Sequence, residues 1–149
     1  MDFVDLPAGR TDASFTITLR HESGAHSHVS ASKLNHIDAR EFRVYGDLGC
    51  YISSTTDAQA QSIFAGKRPA DDLGNWGYEP QTNWGTLYTT AGTLRVPSEQ
   101  GRYHDYYEAF EQAVRTGSAL PVTAEAGARA LEVLDAARQS VAEGRSVAI

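Results

Sequence analysis

Apolar positions recur every second residue through the first half of the chain and at helical spacing through the second. In SFTITLRH (14–21), Phe15, Ile17 and Leu19 alternate with Ser14, Thr16, Thr18 and Arg20, the period of two that gives a strand one core face and one polar face. Glu22, Ser23 and Gly24 are turn residues, and AHSHVSASKL (25–34) predicts the returning strand. There Val29 and Ala31 take one face and His26, His28, Ser30 and Ser32 the other. A second hairpin is predicted in REFRVYGDLGCYIS. Phe42 and Val44 alternate with Arg43 and Tyr45, the stretch 46–49 reverses the chain, and Cys50 and Ile52 are expected to return to the core side. GTLRV (92–96) predicts a short strand ended by Pro97, and SVAI at the C-terminus a further edge strand.

The helical half is marked by caps as well as by periodicity. Tyr103, Tyr106, Tyr107, Phe110, Ala113 and Val114 fall at helical spacing up to Thr116, with Gly117 placed for a left-handed cap, and the aromatic cluster is expected in the core. Thr123 caps a longer helix whose stripe is Ala126, Ala130, Val133, Leu134, Ala137 and Val141, stopped by Gly144. Its small side chains predict close packing over the strands. A shorter helix is predicted over about 57–65 from Asp57, with Ala60, Ile63 and Phe64 inward. Strands followed by helices define an α+β fold. The expected form is an open, mostly antiparallel β-sheet with helices packed on one face and a polar opposite face. The whole chain, 1–149, reads as a single domain.

Between these halves lies GNWGYEPQTNWG (74–85), which holds both tryptophans, Trp76 and Trp84, each followed by glycine, and has no apolar repeat of either period. It reads as a structured loop. Such a loop grips a ligand, contacts another subunit or is pinned over the edge of the core by its two indoles.

Composition removes several classes. The chain has 13 Lys+Arg against 19 Asp+Glu, a formal net charge of -6, and its basic residues are scattered, so no nucleic-acid footprint is present. No apolar run of transmembrane length occurs, and MDFVDLPAGR lacks the regions of a signal peptide, so a cytoplasmic location is expected. The single cysteine, Cys50, suits a reducing compartment and reads as a small core residue. His26 and His28 share a strand face without a third ligand at recognisable spacing, and no metal site is predicted.

Four stretches in order, FTITLRHESGAHSHVSAS, FRVYGDLGCY, WGYEPQTNWGTL and YYEAFEQAVRTGSALPVTAEAGARALEVLDAARQSVAEGRSV, carry a resemblance across nearly the whole length. The sequence resembles the C-terminal domain of the glucose-fructose oxidoreductase, inositol dehydrogenase and MocA (Gfo/Idh/MocA) family of NAD(P)-dependent dehydrogenases. The resemblance implies a domain that completes a sugar or polyol pocket and makes subunit contacts, while a separate N-terminal Rossmann domain binds NAD or NADP. The family's Glu-Lys-Pro segment and Asp/His helix have no counterpart here. No G-x-G-x-x-G occurs either, and Gly46-Asp47-Leu48-Gly49 and Gly74-Asn75-Trp76-Gly77 have the wrong spacing. The chain is therefore expected to hold no cofactor, to contain no catalytic residue and to be inactive alone.

Two roles are implied for named residues. Trp76, Tyr78, Glu79 and Trp84 are substrate-side candidates, the indoles able to stack on a sugar and Glu79 able to accept from hydroxyls. Thr16, Thr18, Arg20, His26, His28, Arg43 and Tyr45 are candidates for a polar sheet face that buries itself against its own copy in a homodimer. The alternative is a self-standing, non-catalytic module that binds carbohydrate or protein.

Overall fold

Two open antiparallel sheets carry the fold. The computed structural model describes residues 2–5, 12–36, 40–54 and 57–149. By internal contacts the chain forms two compact units, one of residues 1–37 and 122–149, the other of residues 38–121.

The first unit holds β1 (Asp2–Asp5), β2 (Asp12–Arg20), β3 (His26–Ser32) and α3 (Ala124–Glu143), with β2 in the centre of the sheet. The predicted hairpin pairs Phe15 with Ala31, Ile17 with Val29 and Leu19 with Ser27 on one face. On the other, Thr16 faces Ser30, Thr18 faces His28 and Arg20 faces His26. Ala13 and Ile17 are buried, so the alternation read from the sequence does place one face inward. β1 adds an edge strand that the sequence reading lacked. Thr123 Oγ1 accepts from the Ala126 amide at 3.1 Å to start α3, and Gly144 at φ 63° ends it. From α3, Arg138 reaches Asp12 of β2 at 3.5 Å. The helix buries Ala137 of its small-residue stripe but leaves Ala126 and Ala130 exposed, so it does not seal the sheet along its whole length.

The second unit contains β4 (Phe42–Gly46), β5 (Gly49–Ser53), α1 (Ala58–Phe64), β6 (Gly85–Thr89), β7 (Gly92–Val96) and α2 (Tyr103–Thr116), with the sheet order β4-β5-β6-β7. β6 was absent from the sequence reading. The β4–β5 reversal pairs Gly46 with Gly49, Tyr45 with Cys50, Val44 with Tyr51 and Arg43 with Ile52. Paired residues share a face. Cys50 and Ile52 therefore lie with Arg43 and Tyr45, not with Phe42 and Val44 as expected, because only Asp47 and Leu48 separate the paired glycines.

Three further expectations are corrected. The aromatic cluster of α2 is not core: Tyr103, Tyr106, Tyr107 and Phe110 are exposed, Tyr107 by 70%, and the helix buries Ala113 instead. Tyr106 meets Phe110 in a stack and Tyr107 edge-on, so the rings cover one another. On α1 the inward residue is Gln59, while Ile63 and Phe64 are exposed, Phe64 by 82%. Residues 146–149 form no strand.

Candidate functional site

The second unit is organised around one buried carboxamide. Asp57 starts α1 by accepting from the Ala60 amide through Oδ1 at 2.9 Å, which fixes the first turn and turns Gln59 inward. Gln59 is 3% exposed, and a buried amide is tolerated only when paired. Its Oε1 accepts from the Trp76 indole Nε1 at 3.1 Å and from the Tyr103 backbone amide at 3.0 Å. The second bond replaces a missing cap, since Arg102 offers α2 no side-chain acceptor and the first helical amides need one. One side chain thus joins α1, the tryptophan loop and the start of α2.

The same region contains a close main-chain crossing. The Gly101 amide donates to the Gly77 carbonyl at 2.9 Å, and Gly77 sits at φ 79°. A Cβ on Gly77 would lie 2.0 Å from the Gly101 carbonyl oxygen, so only glycine fits there. A Cβ on Gly101 would lie 2.7 Å from Gln59 Nε2, so the bare glycine makes room for that amide.

Beside this node opens a cleft of about 530 Å³, lined by groups from β4, β5, α1, the loop after β7 and the start of α2. Phe42 and Tyr51 supply an aromatic wall, their rings 6.5 Å apart and 64° inclined. Tyr51 also crosses the sheet, its ring occupying the space that a side chain at Gly85 would need. Asp57, Glu79 and Glu99 supply carboxylates, and Ser98 donates to Glu79 at 2.6 Å. The Tyr103 hydroxyl donates to Asp57 Oδ2. That bond, followed by the Ala60 amide, holds the Asp57 carboxyl below its usual value and raises the Tyr103 phenol. Together these groups offer hydrogen bonds to hydroxyls and a flat apolar surface for a ring.

The substrate-side candidates occupy different settings. Glu79 lines the cleft. Trp76 is buried to 6% exposure, and its carbonyl accepts from Gln100 Nε2 at 2.7 Å. Tyr78 is exposed, and Trp84 is half-buried after a short 3-10 turn, Gln81–Asn83. The cleft residues that the sequence reading missed are Gln59, Asp57, Tyr103 and Tyr51. Asp57 and Tyr103 were visible as a cap and a helix start, but nothing in the sequence pairs them.

The interface candidates divide between the two sheets. Thr16, Thr18, Arg20, His26 and His28 are exposed on β2 and β3, where Thr18 Oγ1 and His28 Nδ1 are 3.1 Å apart. Arg43 and Tyr45 are on β4, and Arg43 forms an ion pair with Glu41 at 2.7 Å. The expected single polar face is thus drawn from two sheets.

The glycine-rich stretches do not fit a dinucleotide's diphosphate. Gly46 to Gly49 close a hairpin and Gly77 closes on Gly101, whereas a diphosphate cradle needs free amides at a helix N-terminus. Among the described residues no group of three or more His, Cys, Asp or Glu could hold a metal ion, and no helix is long and apolar enough to cross a membrane.

The fold and cleft define an α+β domain with open antiparallel sheets and a cleft lined by carboxylates and aromatic rings. The chain belongs to the Gfo/Idh/MocA oxidoreductase family, whose C-terminal alpha/beta domain matches residues 3–149. It is similar to the scyllo-inositol 2-dehydrogenase (NADP(+)) IolW of Bacillus subtilis (strain 168), 34% identical over 110 residues that cover 71% of this chain and 30% of IolW. Among solved structures, yvaA of Bacillus subtilis is 28% identical with a TM-score of 0.83, covering 95% of this chain and 42% of yvaA. An oxidoreductase-family protein from Bacteroides fragilis is 29% identical with a TM-score of 0.83, covering 99% and 46%. The chain therefore spans less than half the length of these relatives.

Proposed function

We propose that this chain is the substrate-side domain of an NAD(P)-dependent sugar or polyol dehydrogenase, supplying pocket wall and subunit contacts to a hydride transfer performed with a separate nucleotide-binding domain. The observation that carries this reading is the cleft of the second unit, where Glu79, Asp57 and the Tyr103 hydroxyl stand beside the Phe42 and Tyr51 rings. Family membership supports it, and so does the activity named for IolW, which acts on a cyclic polyol. In this reading Glu79 accepts from substrate hydroxyls, Trp76 holds the loop that presents it, and Tyr78 and Trp84 flank it.

An NMR titration of the chain with scyllo-inositol tests the first half of the proposal. Resonances of Tyr51, Glu79 and Tyr103 are expected to move, and those of β3 to stay. A parallel titration with NADPH is expected to leave the spectrum unchanged, and micromolar nucleotide binding would overturn the division of labour. For the subunit contacts, the exposed Thr16, Thr18, Arg20, His26 and His28 face, with Arg43 and Tyr45, is proposed to meet a second copy. Light scattering that finds a monomer at high concentration would remove that part.

A further inference from the structure

Three hydrogen bonds close a seam along the cleft. Ser98 Oγ donates to Glu79 Oε2 at 2.6 Å, Gln100 Nε2 to the Trp76 carbonyl at 2.7 Å, and the Gly101 amide to the Gly77 carbonyl at 2.9 Å. The segment after β7 is thereby stitched to the tryptophan loop, and both line the cleft, Gly77 and Glu79 on one side of the seam, Ser98, Glu99 and Gly101 on the other. Gln100 and Arg102 are outside that lining, yet Arg102 reaches the seam. Its Nη1 donates to Gln100 Oε1 at 2.9 Å, while Nε and Nη2 donate to the two carboxylate oxygens of Asp105 in the first turn of α2. With Oε1 taken, the nitrogen end of the Gln100 amide is turned to the Trp76 carbonyl. His104 Nε2 stands 3.2 Å from Asp105 Oδ1, and Tyr78 and Glu108 act electrostatically on the guanidinium.

The Arg102 and Asp105 side chains are 51% and 47% exposed, and an ion pair that wet contributes little to stability. What it supplies is direction, because a planar fork held on both oxygens of Asp105 leaves a further N–H aimed at Gln100. Resting on the reading of this cleft as the substrate wall, we propose that Arg102 is a positioning residue for it. Through Gln100 it fixes the Trp76 carbonyl and, along the seam, sets the Glu79 carboxylate to accept from a ligand hydroxyl, without touching the ligand itself. A carboxylate in the right place makes a charge-assisted hydrogen bond to that hydroxyl, and a displaced one loses most of it.

The test titrates scyllo-inositol by NMR into the parent chain, Arg102→Met, Gln100→Leu and the double variant, and records a thermal melt of each. Each single variant is expected to bind on the order of tenfold more weakly than the parent, and the double variant no more weakly than either. The amide resonances of Gly77 and Glu79 are expected to move in all three variants, and the melting temperature of R102M to fall by no more than about 4 °C. Unchanged affinity in R102M, or losses that add in the double variant, would overturn positioning through Gln100 while leaving the substrate-wall reading intact. So would an affinity loss in R102M matched by a large fall in melting temperature, which would make the role structural. A parent chain that does not bind scyllo-inositol would overturn both.

Discussion

The indole N–H of Trp76 donates to Gln59 Oε1 at 3.1 Å, so the tryptophan of a polar loop is held by a glutamine of a short helix. This bond explains why so large a ring stands in a stretch without apolar repeat: the loop is built onto an amide, and the ring covers it. Trp76→Phe keeps most of the ring and removes the donor, and should cost about 1 kcal/mol. Trp76→Ala also empties the space and should cost about 3 to 5 kcal/mol. Urea denaturation of both variants separates the two contributions, and a Trp76→Phe variant as stable as the parent would mean that the hydrogen bond contributes nothing beyond packing.

Gly77 and Gly24 provide an internally controlled pair. Both have positive φ, 79° and 87°, but a Cβ on Gly24 meets nothing within 4 Å whereas one on Gly77 collides with the Gly101 carbonyl. Gly24→Ala should therefore cost only the left-handed backbone term, about 1 to 2 kcal/mol. Gly77→Ala should cost clearly more, because a main-chain atom has to move. Comparable melting temperatures for the two variants would contradict the crossing.

The Asp57–Tyr103 bond sets a pH dependence whose sign follows from both partners. Asp57 is lowered from 3.8, so the stability it contributes is present above that value and lost as pH falls through its lower folded value. Tyr103 is raised from 10.0, so its contribution is present below that value and lost as pH climbs through its higher folded value. Tyr103→Phe should flatten stability against pH at both ends while changing little in its shape between them. Denaturation midpoints at acidic, neutral and alkaline pH check this. A variant that loses stability with acid as steeply as the parent would show that the phenol does not hold the carboxylate.

At the start of α3, Thr123→Ala removes the acceptor of the Ala126 amide and should cost about 1 kcal/mol, while Thr123→Ser should cost little. Circular dichroism melts of the pair measure the cap directly.

The elements that declared themselves in the sequence were those with a local cause. The Asp57 and Thr123 caps, the glycines at 117 and 144 and the alternation over 14–21 each act within a few residues, and the helices and the first hairpin form as they dictate. β6 stayed hidden because its first residue, Gly85, has its space filled by Tyr51 from the neighbouring strand, a cross-strand relation that leaves no local pattern. Gln59 stayed hidden for the opposite reason. A polar residue on a short helix reads as solvent-facing, and its burial is decided by donors at Trp76 and Tyr103, both distant in sequence. Glu79, named from its place in the tryptophan loop, lines the cleft, but its bond from Ser98 spans 19 residues and leaves no local pattern.

The carboxamide of Gln59 is a conjugated plane, so its two ends are electronically linked. When the nitrogen end is engaged, electron density moves toward the oxygen, and the bond from the Trp76 indole tightens. The indole proton of that tryptophan is thereby a built-in gauge of the carboxamide, its resonance moving whenever the Gln59 amide is disturbed, and it needs no label and no turnover to be read.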